Sequence, residues 1–130
     1  MVREWRLVGS IGLLLAALAV PLSAVVVSSP GSVVTDFYYA ANDGRYTDAE
    51  KLFSTQALAA IAAGQGGFKA YCDVRTKAAT MATVEIVQED IRGEGATVTA
   101  RVAFKDGSST DSVTELVREG NEWRIAVGPK

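Results

Sequence analysis

Asp36, with Tyr38 and Tyr39 close by, is the one combination in this chain that could move protons. A trio of Asp36, Tyr39 and an arginine would run carboxylate-based acid–base chemistry. The 130 residues contain no histidine. That removes His general bases, His metal ligands and Ser–His or Cys–His nucleophile pairs. Nearly every other Asp and Glu falls in a turn, a cap or the polar phase of a strand, where a solvated role is the simpler reading. Even Asp36 lies near a helix start, where the dipole favours an exposed acid without further purpose. Gly64-Gln65-Gly66-Gly67 is glycine-rich, yet it has no Walker lysine spacing and no strand before it, so it reads as a helix terminator. Cys72 is the single cysteine. Among Ala70, Tyr71 and Val74 it reads as a buried, inert thiol. The residues therefore point to no catalytic set, no metal and no cofactor.

Something must hold these groups in place, and the first constraint is location. Leu7 to Val27 is a run of 21 residues interrupted only by Ser10, Ser23, two glycines and Pro21. A helix of about 20 apolar residues crosses about 30 Å of hydrocarbon. Arg3 and Arg6 precede the run, so the N-terminus is expected inside and the domain outside. Residues 1–29 are thus a signal peptide or N-terminal membrane anchor and linker. Uncleaved, the segment makes a single-pass cell-membrane protein with its domain on the extracytoplasmic side. Cleaved, it leaves a secreted or periplasmic one. No cysteine stands directly behind the run, which excludes a lipid-anchored one.

Residues 30–130 form one domain of ordinary size. Past Ser28 there are 11 basic and 14 acidic residues. Nucleic acid, whose binding needs basic patches, is not an expected partner. With one cysteine no internal disulfide is possible, so apolar burial must hold the fold.

The elements follow from periodicity. Ser32 is a plausible cap for a helix to about Asn42, in which Val33, Val34, Phe37, Tyr38 and Ala41 make one apolar stripe. Thr47-Asp48-Ala49-Glu50 has the form of a capping box. The stripe behind it runs from Ala49 to Ile61, with Ser54 and Thr55 able to split it into two helices. Phe68 to about Val74 is a third short helix, and Arg75-Thr76-Lys77 reads as a solvated link to the strands. In Val84 to Ile91 the apolar positions change parity between Ile86 and Val87, as a β-bulge or two-sided burial would produce. Ala96, Val98, Ala100, Val102 and Phe104 alternate strictly, giving a strand with one buried face. Val113 to Glu119 is a third strand, and Trp123, Ile125 and Val127 mark a fourth. Tight turns between consecutive strands predict an antiparallel meander under N-terminal helices, an α+β fold.

Val33-Val34-Thr35-Asp36-Phe37-Tyr38-Tyr39-Ala40-Ala41-Asn42-Asp43-Gly44 resembles the opening helix of the nuclear transport factor two-like cone-fold superfamily. Leu52-Phe53-Ser54, Gly67-Phe68-Lys69, Ala96-Thr97-Val98-Thr99, Phe104-Lys105-Asp106-Gly107 and Glu122-Trp123-Arg124-Ile125 resemble, more narrowly, an uncharacterised family of bacterial lipoprotein-like extracytoplasmic domains within it. The resemblance spans roughly Pro30 to Val127, and the lipidated cysteine of that pattern is missing. It implies a curved, cone-like four-stranded sheet with helices across its concave face. It also brings in enzymes similar to ketosteroid isomerase and scytalone dehydratase, which use an aspartate base in the pocket between helices and sheet.

Two functions compete on this reading. The preferred one is a non-catalytic, membrane-associated extracytoplasmic module binding a small apolar ligand or a protein partner, with a homodimer left open. The alternative is a small cofactor-free isomerase- or dehydratase-like enzyme using a pocket carboxylate. The expected cavity is aromatic and aliphatic, contributed by Phe37, Tyr38, Phe53, Phe68 and Trp123, or packed shut. Trp123 reads more simply as a core residue of the last strand than as a stacking platform.

Overall fold

Ser29, not Ser32, starts the first helix. The computed structural model describes residues 28–64 and 66–129, and in it Pro30–Asn42 form helix α1. Proline suits a first helical position because its missing N–H is an orphan there in any case. Ser29 Oγ accepts from the Ser32 amide at 3.1 Å. The signal or anchor segment expected over residues 1–27 lies outside the described residues. Among those described, no helix is long and apolar enough to cross a membrane.

Three short helices follow: α2 (Tyr46–Glu50), α3 (Thr55–Ala62) and α4 (Gly67–Arg75). The capping box expected at Thr47 does not form. The chain turns through Gly44, at φ 76°, and Arg45 takes the cap position of α2 without a side-chain bond. Its guanidinium reaches Asp48 at 3.3 Å and Asp43 at 3.4 Å instead. The break at Ser54 does form, with Ser54 Oγ accepting from the Ala57 amide at 3.1 Å.

Four strands complete the fold: β1 (Met81–Arg92), β2 (Gly95–Phe104), β3 (Ser109–Glu119) and β4 (Glu122–Val127). They pair antiparallel in the order β1-β2-β3-β4, an α+β meander. The register of β1 against β2 slips between Ile86 and Gln88, so the parity change in the sequence is a bulge at Val87. The outer edge of β4 is covered rather than open. Ser54 N donates to Ile125 O at 2.9 Å and Ile125 N to Leu52 O at 2.7 Å, adding a short parallel segment that blunts the edge.

Strand β2 buries Ala96, Val98, Ala100, Val102 and Phe104 against the helices. Its partner must therefore turn the same way. Leu116 pairs with Ala96, Thr114 with Val98 and Ser112 with Ala100, and all three are buried, while Val113 is 42% exposed. Cross-strand geometry overrides hydropathy here, since directly opposed residues share a face. On β4, Trp123 and Ile125 are buried, whereas Val127 is not. The buried stripe of α1, formed by Val33, Val34, Phe37, Tyr38 and Ala41, lies in the same core.

If this core carries the stability, Phe104→Ala should cost about 3–5 kcal/mol as a large-to-small truncation. Thr97→Ala, on the exposed face of the same strand, should stay within about 0.5 kcal/mol. Denaturant midpoints of the two variants check this; equal small shifts would mean that β2 does not define the core.

Candidate functional site

The aromatic residues meet in the interior and fill it. Phe37 packs edge-on to Phe53, with ring centroids 5.2 Å apart, and to Tyr38 at 5.3 Å. Phe53 meets Phe68 edge-on at 5.3 Å. Tyr71 joins Phe37, Phe53 and Phe68 at 5.8–6.2 Å, and was not among the aromatics expected. Edge-to-face contacts of this kind add about 0.5–1.5 kcal/mol beyond burial. Trp123 stands outside this group, with the Arg118 guanidinium 5.3 Å from its ring centroid. Tyr71 reaches so far that a Cβ on Gly128 would collide with its phenol. A glycine there is what lets the chain leaving the last strand pass.

Of the five expected aromatics, Tyr38 borders an open cleft. This cleft, of about 320 Å³, lies between the end of α4 and the faces of β2 and β3. Tyr38 and Ser112 form part of its wall, joined by a 2.6 Å hydrogen bond between Oη and Oγ. Val74, Phe104 and Pro129 supply apolar surface, and Arg75, Lys77 and Thr110 supply polar groups. A separate groove of about 410 Å³ between α3 and α4 is walled by Ala60, Ile61, Ala70 and Tyr71.

Arg75 and Lys77 are not the plain solvated link expected from the sequence. The Arg75 guanidinium stacks on Tyr71, 3.5 Å from the ring centroid. Its Nε donates to Pro129 O at 3.1 Å and its Nη1 to Tyr71 O at 3.2 Å. Between them Thr76 is wholly buried, its hydroxyl donating to Cys72 O at 3.0 Å. The chain then turns through three successive left-handed residues, Lys77, Ala78 and Ala79, at φ 50°, 57° and 67°. Each such non-glycine residue costs about 1–2 kcal/mol. The turn is held by Ala78 N to Asp73 O at 2.7 Å and Thr80 N to Thr76 O at 3.0 Å, and by Ala79 N to Thr76 Oγ1 at 3.2 Å. It brings Lys77 to the cleft, where its Nζ donates to Ser108 Oγ at 2.9 Å.

Burial pushes the Tyr38 phenol above its ordinary pKa, against the opposing pull of Ser112 and Arg75. Burial likewise carries Tyr71 up to about 12, with Arg75 opposing. Both phenols are therefore protonated at neutral pH and hold their protons more tightly than a free tyrosine does. Burial, with Asp73 nearby, raises the Cys72 thiol to about 12, which makes it a poor nucleophile. Asp36 is exposed and Tyr39 is 38% exposed; neither borders the cleft. No cluster of three or more His, Cys, Asp or Glu that could hold a metal occurs among the described residues. The arrangement can hold and orient a bound molecule through hydroxyl donors and two cations. The signals for it were faint, because two hydroxyls in the polar phase of a strand and a charged connector look like surface.

A family described as "Domain of unknown function (DUF4878)" matches residues 23–126. No curated protein matches. Among solved structures, a Campylobacter jejuni protein provisionally named an NTF2-like transpeptidase superposes with a TM-score of 0.60 at 14% identity. The match covers 76% of this chain and 98% of that one. At that identity the likeness is one of fold, and the fold is NTF2-like.

The left-handed turn yields a signed expectation. Ala79→Gly relieves about 1–2 kcal/mol of backbone strain and adds about 0.4–1 kcal/mol of unfolded-state entropy. The variant should be more stable by up to about 1.5 kcal/mol, read as a higher denaturant midpoint. A lower midpoint would show that the turn is not strained.

Proposed function

This chain belongs to the DUF4878 domain family, and from that premise we propose that it is a non-catalytic module holding a small molecule in the cleft beside Tyr38. The observation that carries this reading is the cleft itself, walled by Tyr38 and Ser112 and by apolar Val74 and Phe104. Its volume of about 320 Å³ falls at the lower end of the range for small-molecule sites, about 300–1,000 Å³. An isomerase or dehydratase of this fold would need a carboxylate base within hydrogen-bond reach of its substrate. Asp36 stands in solvent, and the cleft's described wall offers phenol, hydroxyl and cationic groups. Acyl transfer, the activity in the C. jejuni protein's name, would need a base to activate a nucleophile. Ser112 shares its hydrogen bond with a phenol that burial keeps protonated, so among the described residues it has no such base.

NMR titration of the full chain, held in amphipol, with a set of small amphipathic molecules tests the binding role. Shifts should concentrate on Val74, Phe104, Thr110 and Ser112. Turnover of an enolisable ketone that disappears in Asp36→Asn, with the fold intact, would overturn it.

The module acts, on this proposal, at the outer side of a membrane. Arg3 and Arg6 ahead of the Leu7–Val27 run support that orientation. After expression in a bacterial host, fractionation and intact-mass measurement should find the chain at the membrane, or outside it and shortened near Val25. A soluble cytoplasmic species that retains Met1 would sink the proposal.

A further inference from the structure

We infer that the ligand of this cleft is an amphipathic organic anion, a carboxylate carried on a short apolar body. The inference rests on the cleft being the binding site. Its described walls carry two cations, Arg75 and Lys77, and no carboxylate. The hydrogen bonds of Arg75 go to the backbone carbonyls of Pro129 and Tyr71. They orient the guanidinium without neutralising it, and it forms no ion pair among the described residues. Among the described residues Lys77 has one acidic neighbour within 4 Å, Asp106, whose Oδ2 is 3.9 Å away with both groups about half exposed or more. Such a pair is weak, and hydrogen bonds with Ser108 occupy that aspartate further.

Placement of Lys77 is expensive, which argues that it is used. Lys77 is the first of the three left-handed residues, and strain of this kind collects where a fold must present a group in one direction. Its Nζ also lies 4.4 Å from the Phe104 ring centroid, so charge and apolar surface adjoin. Tyr38 Oη and Ser112 Oγ already bond each other. Between them they keep one hydroxyl hydrogen to offer to an incoming oxygen. A carboxylate at the cations with its apolar body along Val74, Phe104 and Pro129 would meet all of these groups. A neutral apolar molecule would leave both cations unanswered.

The test compares 4-phenylbutyrate with 4-phenylbutanol, two molecules differing chiefly in the charged end, titrated into the full chain in amphipol. The carboxylate should bind about tenfold tighter or more, as expected for hydrogen bonds to charged partners. Its advantage should shrink between about 50 mM and about 500 mM salt, because screening reaches exposed charges. Lys77→Gln should narrow the ratio several-fold and Lys77→Arg should largely retain it. Lys77 is the chosen position because Arg75 also anchors the C-terminal segment, so its loss could disturb folding. Equal affinities, unmoved by Lys77→Gln, would overturn the anion inference while leaving the cleft as a binding site. If neither compound shifts Val74, Phe104 or Ser112, both the cleft reading and this inference fall.

Discussion

Helix α1 is fastened to strand β1 at both of its ends, and the rest of the domain is arranged around that bar. At the N-terminal end, the Gly31 amide donates to Glu89 Oε1 at 2.8 Å, a carboxylate where the helix carries its partial positive charge. A Cβ at Gly31 would crowd that same oxygen, so a larger residue would have to push the Glu89 carboxylate aside. At the other end Asn42 receives the Met81 amide at 3.0 Å and donates to the Met81 carbonyl at 3.4 Å, in effect extending the strand's ladder by a side chain. With both ends held, the stripe from Val33 to Ala41 lies over β2, and Tyr38 is set where its phenol meets Ser112.

The fold was legible because its main signals are periodic and mutually consistent. The strict alternation of β2 and the three- and four-residue spacing of α1 each describe one buried face, and the two faces belong together. The bulge at Val87 was visible as a change of parity. What failed were features decided between elements. Ser29 takes the cap rather than Ser32, and Pro30 after it suits the first helical position. Thr47 lost its capping role because the helix begins at Tyr46, which places Thr47 inside its first turn. Nothing in β3 itself says that Ser112 and Thr114 face inward while Val113 faces out; the partner strand imposes it.

The same logic explains why the cleft was harder to read than the core. The expected aromatics were a fair guide to what is buried, and four of them pack together with Tyr71 into a filled interior. The open space lies beside them, lined by residues of unremarkable type. A serine in a strand, a threonine two residues before it and two cations in a connector become a site only through three-dimensional adjacency. The connector's left-handed path is especially opaque, since Lys77-Ala78-Ala79 contains no glycine to announce it.

The double fastening of α1 also bears on how this chain is made. Glu89 and Met81, its two anchors, lie 58 and 39 residues further along. A ribosome delivers about 5–20 residues per second, so α1, the first helix of the described residues, waits some seconds before the strand that secures it exists. Throughout that interval Val33, Val34, Phe37 and Tyr38 have no sheet to lie against. The meander can close by local hairpins, but α1 cannot be secured at both ends until β1 has emerged through Glu89. During biosynthesis the most buried helix of the finished domain is thus the one longest without cover.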